Sequence, residues 1–85
     1  MSPTNKKRLD LLRIKLDMLD TDLLKLIKKR SNLVNEVLKV KTHKNEIIDQ
    51  KRINFILKKI KKKSIQLNID PKITNRIWKN MIWSF

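Results

Sequence analysis

At 85 residues the chain forms one domain at most, and it is strongly basic: 22 Lys plus Arg stand against 8 Asp plus Glu, for a net charge of +14. Gly and Cys are absent and Pro occurs only at Pro3 and Pro71, which argues against hairpin-rich sheets, disulfide scaffolds and glycine phosphate loops and leaves an all-α class. A chain this short buries only about 60 % of its unfolded surface, so a partner chain is expected.

Residues 1–8 are polar, lack the hydrophobic region of a signal peptide, and are expected to be frayed or disordered. No later run approaches the roughly 20 apolar residues of a membrane span, so a cytoplasmic protein without a membrane partner is expected.

From about Leu9 to Thr42 the chain holds a helical period. Leu9, Leu12, Leu16, Leu19, Leu23, Leu26, Leu33, Val37 and Val40 recur at alternating steps of three and four, the seam of a helix that packs on other helices. This predicts a helix of about 34 residues, some ~50 Å long. Such a stripe is too long to be covered by the short hairpin that follows it, so an intertwined homodimer is predicted. Arg30 occupies a seam position where the pattern calls for a leucine. A permanent charge in an apolar stripe costs several kcal/mol unless it is compensated, either by a buried acid or by an anionic ligand. The scarcity of acids favours the ligand, and planar carboxylates suit the guanidinium fork.

Residues 43–48 lose the period and read as a loop. Asp49 is a candidate N-cap for a second helix with Ile53, Ile56, Leu57, Ile60, Ser64 and Leu67 on one face. Asn68 and Ile69 break it. Asp70-Pro71 then gives the strongest start signal in the chain, a capping acid followed by proline at the first helical position. The third helix carries Ile73, Ile77, Trp78, Met81, Ile82 and Phe85 at helical spacing, with Trp78 and Trp83 expected to pack rather than to bind ligand. The expected architecture is therefore one long helix and two short ones in an intertwined helical dimer, with residues 9–85 forming a single domain.

Arg30 and Lys41 lie about three helical turns apart on nearly the same face, some ~16 Å along the axis, a separation that two long side chains span around a small dianion. Asp49 and Arg52 share a face at the start of the second helix. Arg13 lies roughly 25 Å from Arg30 along the same helix, so it reaches such a site only from a second chain running antiparallel. Plainer roles stay open at each position. Arg13 pairs with Asp17 one turn away, Lys41 decorates a helix end where cations are favoured, and Asp49 acts only as a cap. The lone His43 carries no expected role.

Taken together, Leu12-Arg13-Ile14-Lys15-Leu16-Asp17-Met18-Leu19-Asp20, Leu23 to Arg30, Glu36-Val37 with Lys41, Ile48 to Arg52, Ile69-Asp70-Pro71 and Ile77-Trp78 resemble the all-helical chorismate mutase family. The resemblance covers the chain from about Leu9 onward. It implies a dimer with two sites that rearrange chorismate to prephenate in aromatic amino acid biosynthesis without a cofactor or metal. In that family Arg13 would hold a substrate carboxylate across the interface, Arg30 and Arg52 would bind carboxylates from their own chain, Lys41 would address the ether oxygen, and Asp49 would contact substrate. The pattern departs at Ile53, where the mutases usually carry a Glu that contacts the substrate hydroxyl. They also place a Gln or Glu one turn beyond position 85. The apolar Ile53, the loop length between Lys41 and Arg52, and the aromatic Phe85 resemble instead the isochorismate-pyruvate lyase branch of the same fold.

A reading from another class is a basic helical nucleic-acid-binding protein, suggested by Lys58-Lys59-Ile60-Lys61-Lys62-Lys63. That run lacks arginine and an interleaved aromatic and matches no helix-turn-helix, so nucleic acid is disfavoured. Lys supplies 17, Ile 12 and Asn 8 of the 85 residues, a bias toward a few residue types that accounts for much of the charge as solvated surface. A purely structural helical dimer is the third reading, and Arg30 in the seam argues against it.

Overall fold

A computed structural model describes residues 3–40 and 49–84, with side chains from Thr4 onward; Lys41, His43 and Phe85 fall outside them. The described residues form helices α1 (Pro3–Val40), α2 (Gln50–Gln66) and α3 (Pro71–Trp83). The all-α class is borne out. The chain divides into two compact units, Met1–Thr42 and His43–Phe85.

The first unit is built on α1, 38 residues long, or about 57 Å at a rise of roughly 1.5 Å per residue. It starts at Pro3 rather than near Leu9, so residues 3–8 are helical. Proline is well suited to the first turn, and the polar residues after it form helix readily. The apolar period had marked the extent of a packing face, which begins later than the helix. Two hydroxyls inside α1 are satisfied without partners from elsewhere: Thr21 Oγ1 donates to the Asp17 carbonyl at 3.1 Å and Ser31 Oγ to that of Ile27 at 3.0 Å.

No residue of α1 from Thr4 onward is buried. The seam is laid out as predicted but open, with Leu16, Leu23 and Leu33 each more than half exposed. At about 100° per residue, Leu11, Ile14 and Met18 fall roughly opposite Leu9, Leu12 and Leu16, and they are exposed too. The first half of α1 is therefore apolar on two sides, which a single packed neighbour does not cover.

The second unit is a hairpin of α2 on α3. Asp49 caps α2 as expected, its backbone extended and its side chain accepting from the Arg52 N–H. Ser64, 3 % exposed, and Thr74, 8 % exposed, mark the closest approach of the two helices. Ser64 Oγ donates to the Ile60 carbonyl at 2.6 Å and lies 2.7 Å from Thr74 Oγ1, which also reaches the Pro71 carbonyl at 3.3 Å. Two hydroxyl protons thus serve three contacts, in one cluster that ties α2 to the start of α3. Small side chains at this point let the axes come close near the turn. Moving outward in equal steps along both helices sets Ile60 across from Trp78 and Leu57 across from Met81, all of them partly buried. Ile53 lies one turn further and is the one buried hydrophobic among the described residues.

The hairpin does not cover every residue of these apolar patterns. Leu67 is 70 % exposed. It is the C-cap of α2, where the backbone leaves the helix and carries the side chain off the inward face. On α3 the buried residue is Thr74, while Ile73 and Ile77 are exposed. Apolar residues stand on two sides of α3, and periodicity alone does not say which side meets α2; the small threonine beside the turn does.

The end of α2 follows a Schellman pattern. The Ile69 N–H donates to the Ser64 carbonyl at 2.8 Å and the Asn68 N–H to that of Ile65 at 3.1 Å. This geometry requires a left-handed residue between them, and Asn68 adopts φ 57°. Asparagine takes the place of the glycine usual there, in a chain that has none. Asp70 then caps α3, its Oδ1 accepting from the Lys72 N–H at 2.9 Å ahead of Pro71.

Asn68→Gly is therefore expected to preserve or slightly raise stability, whereas Asn68→Val should cost about 1–2 kcal/mol because a β-branched residue resists the left-handed region. Denaturant unfolding of the two variants checks this; equal effects would contradict the capping role.

Candidate functional site

Among the residues singled out in the sequence, the structure brings Asp49, Arg52 and Ile53 together at the start of α2 and leaves Arg13 and Arg30 well apart on α1. Lys41 lies outside the described residues. Arg13 is exposed, and among the described residues it forms no ion pair with Asp17 one turn away. Arg30 is half-buried, in contrast to most of the leucines around it. It has no acid partner among the described residues, so the internal salt bridge that would compensate its charge is not made by them. The two arginines are about 25 Å apart along a straight helix and cannot hold one small molecule within one chain.

At the start of α2 the geometry is local and well defined. Asp49 Oδ1 accepts from the Arg52 N–H at 3.1 Å, and the Asp49 carbonyl accepts from the Ile53 N–H at 3.0 Å. Asp49 is thus a working cap, which fixes the backbone of the arginine three residues on. Gln50 Nε2 donates to Asn54 Oδ1 at 3.0 Å and ties down the next turn. Ile53, 9 % exposed, is directed into the hairpin and packs there. Its neighbour Arg52 is exposed, and its guanidinium carbon lies over the ring of Phe55, 5.3 Å from the centroid. Lys59 Nζ reaches the same ring at 5.9 Å.

Phe55 went unremarked in the sequence because it lies off the inward face of α2. The signal was present in the spacing: Arg52, Phe55 and Lys59 stand at steps of three and four, which puts all three on one helix face. No group of three or more His, Cys, Asp or Glu side chains suited to a metal occurs among the described residues. What the arrangement offers chemically is fixed positive charge, with guanidinium forks for carboxylates.

A family model described as Chorismate mutase type II matches residues 12–85. No curated protein and no solved structure matches the chain.

Removing the Arg30 charge tests its role directly. Arg30→Leu is expected to leave thermal stability unchanged or higher, since it completes the apolar seam and removes a costly charge, while abolishing turnover. A loss of about 3 kcal/mol or more, typical of breaking a buried ion pair, would contradict that expectation.

Proposed function

This chain belongs to the chorismate mutase type II family, a family of isomerases, and from that premise we propose that it converts chorismate to prephenate in the cytoplasm as a step of aromatic amino acid biosynthesis. The match over residues 12–85 carries the reading. Arg30, half-buried and without an acid among the described residues, supports it from the side of the physics.

The rearrangement breaks one ether C–O bond as a C–C bond forms, with no proton transferred and no cofactor consumed. A catalyst for it has two tasks: to hold the compact conformer in which the reacting carbons meet, and to place positive charge where the ether oxygen gains electron density. Arg30 and Arg52 hold the substrate carboxylates, Lys41 addresses the ether oxygen, and Asp49 meets the substrate while capping α2. Arg13 closes the site from a second copy of the chain. Ile53, buried next to Arg52 in the sequence, offers no hydrogen bond to the substrate hydroxyl.

The homodimer in this reading draws support from α1. Its seam leucines are exposed, and Leu11, Ile14 and Met18 are exposed on the other side of the same helix. Covering an aliphatic side chain in full is worth about 1.5–3 kcal/mol, so even half-covering the seam supplies on the order of 10 kcal/mol toward association. An antiparallel second copy sets the start of one α1 beside the middle of the other, which brings Arg13 to Arg30.

Purified protein given chorismate should yield prephenate, and given isochorismate should release no pyruvate; pyruvate without prephenate would overturn the assignment in favour of the lyase branch. In the same assay, mixing inactive Arg13→Ala and Arg30→Ala chains is expected to restore activity, because each mixed dimer has one site with both arginines. Absence of rescue after demonstrated subunit exchange would rule out a shared site.

A further inference from the structure

Phe55 is a large aromatic residue on the solvent side of α2, 54 % exposed, on a helix whose other apolar residues up to Ile60 turn toward α3. Leaving such a ring in water forgoes a substantial burial free energy. Its close neighbours are cations: the Arg52 guanidinium at 5.3 Å and the Lys59 ammonium at 5.9 Å, both within the range at which a ring attracts positive charge. Arg52 is in addition anchored by its own backbone N–H, which donates to Asp49 at 3.1 Å. The arginine is thus held at both ends, by a helix cap at the backbone and by an aromatic face at the guanidinium.

This arrangement suits a carboxylate receptor. A free arginine side chain samples many rotamers, and a two-pronged grip on a carboxylate freezes it; ordering it beforehand lowers the entropy lost on binding. The ring attracts the guanidinium through its charge, which uses up none of the hydrogen-bond donors of the fork. Those N–H groups are what a bidentate carboxylate engages. Lys59, drawn to the same ring, adds positive charge nearby.

From this geometry we infer that Phe55 is a positioning residue: its ring preorders the Arg52 guanidinium to receive a substrate carboxylate. The inference rests on the reading of Arg52 as a carboxylate-binding residue in the proposed function. It assigns to Phe55 a role that acts through Arg52 alone, without contact with the reacting atoms.

The test compares Phe55→Leu, Phe55→Tyr and the unsubstituted chain in steady-state turnover of chorismate, with Arg52 Nε–H resonances recorded by NMR. Because Phe55 is exposed, neither change should perturb folding. Phe55→Leu is expected to raise KM roughly two- to fivefold with kcat nearly unchanged, in line with a cation–π contact at an exposed site. It should also remove the ring-current shift of the Arg52 Nε–H. Phe55→Tyr should restore both. Unchanged KM and an unshifted Arg52 resonance in Phe55→Leu would overturn the inference, as would a fall in kcat and thermal stability that Tyr does not rescue. If the unsubstituted chain does not turn over chorismate, the failure lies with the proposed function, and the role of Phe55 falls with it even where the NMR shows the ring on Arg52.

Discussion

The apolar stripe of α1 is the constraint on which the rest of the molecule depends. A helix of 38 residues carries leucines at seam spacing along most of its length, and none of its residues from Thr4 onward is buried. An isolated helix of this kind owes little stability to intrinsic propensity and much to whatever covers its face. The α2–α3 hairpin has its own internal contacts, centred on Ser64 and Thr74, and its helices are less than half as long as α1. The length of the stripe therefore calls for a second long helix, and in the proposed function a second copy of the chain is what supplies one. The proposed function inherits this requirement, because Arg13 and Arg30 stand about 25 Å apart along α1 and come together only when an antiparallel copy sets the start of one helix beside the middle of the other.

Charge is the second organising principle, and its arrangement matters more than the total. Much of the net +14 is exposed lysine that any Lys-rich chain would carry. Arg30 differs, since it interrupts an apolar seam and is half-buried without an acid partner among the described residues. Arg52 differs in another way. It is exposed but restrained, by the Asp49 cap on one side and the Phe55 ring on the other. A reaction that shifts electron density without moving a proton calls for fixed positive charge of this kind rather than for a nucleophile or a base.

Much of the fold could be read from spacing alone. The seam of α1, the Asp49 cap, the stop at Asn68 and the Asp70-Pro71 start each follow from a local rule, and each is where the residues put it. Errors arose where a decision belonged to tertiary contact. Ile73 and Ile77 dominate the apolar pattern of α3, yet Thr74 faces α2, because close approach beside a tight turn selects small side chains over greasy ones. Leu67 has the right spacing for the inward face but sits at the cap, where the helical direction is lost. The start of α1 was placed too late because periodicity reports packing rather than helicity. In the candidate site, Arg52 and Asp49 were legible as a helix-start pair, whereas Phe55 was passed over because its partners are cations rather than core residues.

Sedimentation equilibrium of the purified chain, paired with denaturant unfolding over a wide range of protein concentration, tests the central claim most directly. If a second copy covers α1, the species in solution has twice the 10.3 kDa chain mass, and the unfolding midpoint rises with concentration because folding and association are coupled. A stably helical 10.3 kDa monomer whose midpoint does not move with concentration would contradict it.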